Sequence, residues 1–503
     1  MRKHLTFFFI VISLLLLAAC QNTTAEDNRF TVAFPWSPAN LDPHGSENWE
    51  VMRAGIAETL VGLDENLEPL PWLAKEWKQE DDNTWIFDLQ ENVTFHNGKE
   101  MNAEHVKASL EHSLEVNQRA ADLLQLETIE IVDEYTLKMV TNEPNAALIP
   151  HLADPSTIIA DVSVEGDEAS FPTLTGAFKV KEFNIDESLI VERFDEYWGE
   201  HAKLPEIEIR YISEGETRLM ALQSGEVDAA ADIPMDNIPV LENDSAIEVH
   251  TAPSLRTHML LYNMESPFFK ELLHRKAVEA SIPKEEIVRS VMMDQGTVAY
   301  SPFSDVLLFG EVGVEEETIP VKDLMEESGW SKNEESGLWE KDGEPVELTM
   351  LTFPQRPELT VMGEIIQSEL LNEGITVHLR QVENIDEALT TEEWDFSMYS
   401  MLTAHTGDPQ YFLNIFYHSS SPSNVSSYKS DEMDQMIENL NRTTDIEERH
   451  DLAVQMQEKL NEDLPQSFIV YPETVFAAKS GVEGFIPHPI EYYYIHSSIE
   501  MES

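Results

Sequence analysis

Cysteine is nearly absent from this chain, because Cys20 is the only one among 503 residues. A lone thiol excludes internal disulfides and the paired-cysteine sites used for redox chemistry or metal binding. Basic residues are also scarce: Lys and Arg number 32 against 95 Asp and Glu, a formal net charge of −63. Such a chain is a poor partner for nucleic acid or for an anionic membrane surface.

The acidic residues are spread along the whole chain and do not form one block. A store for cations is one interpretation of this excess. The even distribution favours a solubilising surface on a protein exposed to a salty or alkaline medium.

Long hydrophobic runs are absent after the first twenty residues. The only such run extends from Leu5 to Ala19, behind the positive charges of Arg2 and Lys3. It is too short to span a bilayer comfortably and has the form of a secretory signal.

Small residues stand directly before the single cysteine, in the order Leu17-Ala18-Ala19-Cys20. This arrangement resembles a lipobox, at which a bacterial lipoprotein is lipidated and cut. We therefore expect residues 1–19 to be a lipoprotein signal peptide, Cys20 to be lipidated, and residues 20–29 to form a tether. The mature protein should be extracytoplasmic and anchored to the cell membrane by its N-terminal lipid.

Catalytic motifs are missing as well. The chain has no GxSxG elbow, no HExxH, no phosphate-binding Walker loop and no GxGxxG, each of which places chemistry-bearing groups at a defined spacing. Close pairs of acids occur throughout, so none is distinguished as an acid–base couple. We predict that the protein is not an enzyme and carries no cofactor of its own.

Strand-like and helix-like segments alternate along the chain, which favours an α/β fold. Alternating apolar residues predict strands, and apolar residues at helical spacing predict helices. The strands are expected at 30–34, 85–89 and 206–212, and the helices at 102–114, with Asn102 as N-cap, 431–440 and 447–464.

Several blocks in a fixed order resemble the family-5 extracellular solute-binding proteins of ABC importers, the peptide/nickel group. The likeness covers nearly all of the mature chain, with Gln90 replacing the usual basic residue. The blocks are Leu70–Trp77, Thr84–Gly98 with Asn102–Val106, Tyr197–Gly199, Thr217–Asp228, Arg275–Ala280, Glu327–Trp330 and Asp463–Pro465.

This resemblance implies a two-lobed periplasmic-binding-protein-like fold of class II, with the ligand in the cleft between the lobes. Lobe I is expected over 30–255 and 477–503, with an inserted subdomain at about 70–180, and lobe II over 256–476. The expected partners are the permease subunits of the importer, a small solute and, through the lipid, the membrane. We expect a monomer.

The family has a peptide-binding branch and a branch that takes nickel or another divalent metal within a small chelator. The segment 116–132 resembles the nickel binders, which place a cleft-lining arginine at the position of Arg119. That side chain could clamp a chelator carboxylate. A second loop, 402–412, contains His405 and Tyr411, and His418 lies close to where the nickel binders place a metal-ligating histidine. We therefore predict His418 and His405 as metal ligands.

Other candidate ligand-binding residues lie at the expected lobe boundary. Arg256 and His258 are placed at the first crossover between lobes, and His44 lies on an early loop that often borders the cleft. Histidine suits Ni, Co, Cu and Zn alike, so it does not identify the metal.

The sequence leaves the ligand open. The segment 144–164 has no Arg or Lys, so a chelator with several carboxylates would lack a partner that the nickel binders provide, and a less charged chelator such as histidine fits better. An oligopeptide or dipeptide receptor is the first alternative. A surface adhesin or signalling co-receptor on the same fold is the second.

The Cys20→Ala variant tests the anchor. Without the acyl chains, whose buried methylenes each contribute about 0.8 kcal/mol, the protein should leave the membrane fraction while its solute binding is unchanged. Fractionation and mass spectrometry of the N-terminus measure both. Wild-type protein found free in the medium with an unmodified N-terminus would contradict the prediction.

Overall fold

The computed structural model describes residues 29–164, 171–310, 312 and 319–502. The predicted signal peptide, Cys20 and tether residues 20–28 lie outside the described residues. Within the described ranges, no helix has the length and apolar character needed to cross a membrane.

The strands alternate with helices along the chain, as the sequence predicts. They are β1 Phe30–Phe34, β2 Val61–Leu63, β3 Pro69–Pro71, β4 Ala74–Asp81, β5 Thr84–Leu89, β6 Leu126–Asp133, β7 Thr136–Thr141, β8 Phe178–Asn184, β9 Ser188–Arg193, β10 Glu206–Tyr211, β11 Ala229–Ala231, β12 Ile247–Pro253, β13 Arg256–Tyr262, β14 Gly296–Val298, β15 Ser331–Lys332, β16 Trp339–Lys341, β17 Glu344–Pro345, β18 Glu347–Thr352, β19 Thr376–Gln381, β20 Phe396–Leu402, β21 Gln466–Lys479, β22 Val482–Glu483 and β23 Glu500–Met501.

The α-helices are mostly short, and the two longest belong to the second half of the chain. They are α1 Asn48–Arg53, α2 Ala103–Val116, α3 Gln118–Leu124, α4 Leu148–His151, α5 Gly215–Ser224, α6 Ile238–Leu241, α7 Leu272–Glu279, α8 Lys284–Ser290, α9 Val321–Glu327, α10 Pro357–Glu373, α11 Ile385–Thr391, α12 Gln410–Tyr417, α13 Asp431–Arg442 and α14 Ile446–Asp463.

One long strand, β21, joins the two lobes. The main sheet has the order β19-β18-β20-β13-β21-β11-β1-β10-β9-β8. The first half of β21 pairs with β13 and β14, and its second half pairs with β11 and β12. The fold is therefore the predicted two-lobed α/β fold, whereas the lobe boundaries at 255/256 and 476/477 stay predictions.

A separate antiparallel sheet, in the order β4-β5-β7-β6, precedes the middle of the chain. It has its own buried core, which includes Phe87, Leu89, Val106 and Leu110. The apolar positions of α2 and of these strands therefore face each other. This unit carries α3, on which Arg119 lies.

Local sequence signals locate several elements correctly. The structure confirms β1 at the predicted bounds, and α2 begins after the predicted N-cap, since the Asn102 side chain accepts hydrogen bonds from the backbone N–H groups of Glu104 and His105 at 3.0 and 3.3 Å. The helix α5 ends at Gly225, whose φ of 79° is left-handed and suits a glycine. The other predicted strands and helices agree to within two residues.

Replacing Asn102 by Ala should lower the free energy of unfolding by about 1 kcal/mol, because two backbone N–H groups at the start of α2 lose their acceptor. Urea unfolding of the purified mature protein measures the change. Glu111→Ala on the same helix removes only an exposed i,i+4 contact with Lys107 and should cost at most about 0.5 kcal/mol. Equal losses in the two variants would contradict the capping role.

Candidate functional site

Arg119 is held at the start of α3 by an ion pair and an aromatic ring. The Asn117 side chain caps this helix and accepts a hydrogen bond from the Arg119 backbone N–H at 3.0 Å. The guanidinium donates through Nε and Nη2 to Asp154 at 2.5–3.1 Å. Its Cζ lies 4.5 Å from the ring centroid of Tyr411. Nη1 takes no part in the bonds to Asp154, and a hydrogen bond from the guanidinium also acts on the Tyr411 hydroxyl.

Asp154 is a fully charged partner for Arg119. Burial would raise the pKa of this carboxyl, but Arg119 outweighs burial, and with the help of Ser156 it holds the pKa at about 2. The Ser156 backbone N–H and hydroxyl both donate to Asp154, at 3.0 and 2.7 Å. The charge of Arg119 is thus compensated within the protein.

His405 lies in the loop after β20, next to the same tyrosine. Its ring is edge-on to Tyr411, with 5.5 Å between the centroids. Burial, followed by the charge of Arg119, lowers the pKa of His405 well below its usual value, so the imidazole is neutral. Its Nδ1 is buried and has no hydrogen-bond partner among the described residues. A neutral imidazole with an unsatisfied buried nitrogen is suited to a ligand or metal contact.

Arg256, the first residue of β13, forms a second buried ion pair. Its Nε and Nη2 donate to the Glu491 carboxylate at 3.2 and 3.0 Å, and the Ser254 hydroxyl donates to the same carboxylate at 2.7 Å. Although burial opposes it, Arg256 keeps the pKa of Glu491 well below its usual range. The charge of Arg256 is therefore already neutralised by an acid of the C-terminal segment.

His258 follows on the same strand and is buried. Its Nδ1 lies 2.9 Å from the hydroxyl of Ser400, and its Nε2 lies 3.6 Å from Glu358. Burial, together with the charges of Arg356 and Arg256, lowers the pKa of His258 well below the usual value. His258 is therefore a buried, neutral ring close to Arg256.

A further group of residues, Trp36, Arg53, Arg356 and Asp232, was not predicted from the sequence. The Trp36 ring has two guanidinium neighbours, with the Cζ of Arg53 at 5.6 Å and the Cζ of Arg356 at 5.7 Å. Nearby, Asp232 has a buried carboxylate oxygen with no partner in the described chain. The sequence offered two signals, a tryptophan shortly after β1 and the Arg356–Pro357 start of α10. Neither indicates that Trp36 and Arg356 are neighbours.

The two ion-paired arginines both act on His405. Both Arg119 and Arg256 lower the pKa of His405, after the larger effect of burial. The structure therefore brings together four of the predicted residues, Arg119, Tyr411, His405 and Arg256, with His258 behind Arg256.

Two predicted histidines lie elsewhere. The His44 ring is buried against the backbone carbonyl of Ile158 at 2.9 Å and the hydroxyl of Ser109 at 3.3 Å. His418 caps the C-terminal end of α12, where its Nδ1 contacts the hydroxyl of Ser420 at 2.8 Å. Across the ranges that the structure describes, no group of three or more His, Cys, Asp or Glu could hold a metal ion. A metal bound here would need donors from its own chelator.

In the loop after β20, the aspartate of the Asp408–Pro409 motif is already ion-paired. Asp408 accepts two bonds of 2.7 Å from Arg449, a residue of α14, and both side chains are buried. Burial would raise the pKa of Asp408, but Arg449 lowers it. This acid is consequently paired within the protein and is not free to bind the ammonium group of a peptide.

With this geometry established, the chain can be compared with known proteins. A sequence model of the bacterial extracellular solute-binding proteins, family 5 Middle, matches residues 68–424. The nickel-binding protein NikA of Staphylococcus aureus is 26% identical over 98% of both chains. Its crystal structure with Ni(L-His)2 has a TM-score of 0.83 and covers 94% of this chain and 100% of that one. A nickel ABC transporter structure from Bacillus halodurans is 34% identical over 94% of this chain and 100% of that one, with a TM-score of 0.77.

Peptide binders share the fold as well. The oligopeptide-binding protein AppA of Bacillus subtilis in complex with a nonapeptide is 20% identical, covers 94% of this chain and 99% of that chain, and has a TM-score of 0.82. The chain belongs to the family-5 bacterial extracellular solute-binding proteins. It is the solute-binding receptor of an ABC importer, in a family of non-catalytic transport proteins that act outside the cytoplasm.

Asp154→Asn tests the ion pair that holds Arg119. The folded pKa of about 2 lies below the unfolded value of about 3.9, so the stabilisation is present above pH 4 and is lost as the pH falls toward 2. The variant should therefore be about 2 kcal/mol less stable at neutral pH, with the difference shrinking in acid. Urea unfolding between about pH 3 and pH 7 measures this, with Asp122→Asn at an exposed site as control. A loss independent of pH would contradict the ion pair.

Proposed function

We propose that this receptor captures a divalent metal ion, nickel foremost, as a complex with a small chelator. The observation that carries the proposal is His405: a buried, neutral imidazole with an unpartnered nitrogen beside the guanidinium of Arg119. The imidazole could complete the coordination of the metal. The guanidinium of Arg119 could bind one chelator carboxylate.

The charge balance of the cleft favours a weakly charged chelate. Arg119 is compensated by Asp154, and Arg256 by Glu491. A chelator with several carboxylates would find no surplus of positive charge around it. An amino-acid chelate such as metal–histidine carries few uncompensated charges and supplies most of the donors that the protein lacks.

The relatives support a metal chelate but do not decide the ligand. The S. aureus relative was crystallised with Ni(L-His)2, and NikZ of Campylobacter jejuni, 21% identical, with Ni(L-His). The competing function is an oligopeptide or dipeptide receptor. One observation favours it: the buried, unpartnered oxygen of Asp232 could accept a peptide ammonium group, in place of the occupied Asp408.

We also propose how the receptor works in the cell. A lipid on Cys20 would hold it at the membrane surface as a monomer. Binding would close lobe I, at 30–255 and 477–503, onto lobe II, at 256–476, and the closed form would deliver the chelate to the permease subunits. With these boundaries Arg119 would belong to lobe I and His405 to lobe II, so closure would complete the site.

Calorimetric titration with nickel alone, nickel with L-histidine, and a mixed peptide library tests the ligand class. Nickel with L-histidine should bind at one site per chain, whereas nickel alone should give only weak, unspecific heat at surface carboxylates. His405→Ala should weaken nickel–histidine binding at least about tenfold by removing a metal donor. Arg119→Ala should weaken it about 10- to 100-fold by removing a charge-assisted hydrogen bond.

His418→Ala is the matched comparison for His405→Ala. Because the His418 ring contacts Ser420 at the end of α12, this variant should lose less affinity than His405→Ala; an equal loss would indicate that His418 is a second donor. Circular dichroism confirms that each variant is folded. Micromolar binding of the peptide library, with no nickel–histidine heat beyond that of nickel alone, would overturn the metal-chelate proposal in favour of the peptide receptor.

A further inference from the structure

A pocket lies in the first half of the chain, beside the C-terminal segment that carries Glu491. Along this segment Tyr492 lies near Arg119, as its electrostatic coupling to that residue shows, whereas Tyr493 lines this pocket. The pocket has a volume of about 310 Å³, which is enough for a small organic molecule. None of the residues assigned to the cleft above lines it.

Aromatic rings form much of the wall. Trp72, Tyr197 and Tyr493 line the pocket, and the rings of Trp72 and Tyr493 meet edge to face with 5.7 Å between centroids. Gly62 permits this arrangement, since a Cβ there would lie 3.2 Å from the Trp72 ring. The faces of such rings attract cations.

One carboxylate, that of Glu58, belongs to the same wall. Its Oε1 accepts from the Tyr197 hydroxyl at 2.7 Å, and its Oε2 accepts from the indole N–H of Trp198 at 3.0 Å. The residue is 1% exposed, and no Lys or Arg of the described chain forms an ion pair with it. A buried carboxylate either pairs with a cation or takes up a proton, because leaving the charge uncompensated costs free energy.

Glu58 is thus a buried acid without a counter-ion, and it lies among aromatic rings at the edge of a pocket. A cation small enough to enter the pocket would supply the missing charge. We propose that this pocket is a second binding site, separate from the cleft, for a small organic ammonium ion. The ammonium group lies against the faces of Trp72 and Tyr493, and Glu58 supplies the opposite charge. A bare metal ion fits less well, since the wall offers only this one carboxylate and no second acid.

The pKa of Glu58 gives a second test of the proposal, through the pH dependence of ammonium binding. Burial raises the pKa of this carboxyl to about 7, although hydrogen bonds from Trp198, Thr175, Tyr197 and Trp72 oppose the increase. The other titratable groups that line the pocket are Tyr197, Tyr493 and His496; burial raises the pKa values of the tyrosines and lowers that of His496, so all three are neutral near pH 7. Ammonium binding should therefore weaken as the pH falls below about 7 and Glu58 is protonated.

The test uses choline and its uncharged isostere 3,3-dimethylbutan-1-ol as probes of the mature protein. Calorimetry and saturation-transfer NMR at about pH 8 should show saturable choline binding, with the alcohol at least about tenfold weaker. E58Q, which keeps the shape and removes the charge, should reduce choline affinity to that of the alcohol. Lowering the pH to about 6 should weaken choline binding to the wild type and leave E58Q unchanged.

E187Q removes one exposed acid elsewhere and controls for the general attraction of cations to this acidic protein. It should bind choline as the wild type does, and thermal unfolding verifies that E58Q is folded. Equal choline affinity in E58Q and wild type, or no saturable binding at roughly millimolar choline, would overturn the proposal. Nickel–histidine binding should be the same in E58Q and wild type, so failure here is separable from failure of the proposed function in the cleft.

Discussion

A buried guanidinium must be paired with an acid or with backbone carbonyls, and this constraint determines how the candidate site is built. A guanidinium that loses its carboxylate in a buried position costs several kcal/mol, so three of the arginines each fix the position of a distant acid. Arg119 fixes Asp154, Arg256 fixes Glu491, and Arg449 fixes Asp408. These pairs tie α3, β13 and α14 to loops from other parts of the chain, and the first two lie in the candidate binding site.

The same constraint gives the surface its charge. Many of the chain's few arginines are turned inward: Arg218 donates to four backbone carbonyls, and Arg275 donates to carbonyls around α7 and at the end of α14. With 32 basic residues against 95 acids, little positive charge remains outside. The surface is thus acidic partly because many of the arginines are buried. The excess of surface acids therefore need not indicate a store for cations.

Local features could be predicted from the sequence, whereas contacts between distant residues could not. The strand at Phe30–Phe34 and the Asn102 cap depend on residues within a few positions of each other, so their patterns are visible in the chain. The contact between Arg256 and Glu491 spans 235 positions, and no periodicity records it. Resemblance to the family pointed to Arg119 and His405, but it could not show that Asp154 pairs with Arg119. Nor could it show that His44 faces Ile158 and Ser109.

The central claim is that the candidate site, in which Arg119 and Arg256 are ion-paired and the His405 imidazole is neutral and buried with an unpartnered nitrogen, holds a metal together with its chelator. Native mass spectrometry of the receptor purified from its own host, combined with metal analysis, tests this most directly. The account predicts one divalent metal per chain and a mass increase that equals the metal plus one or two small chelator molecules, released together on denaturation. A metal-free receptor carrying a heterogeneous set of peptides would contradict it.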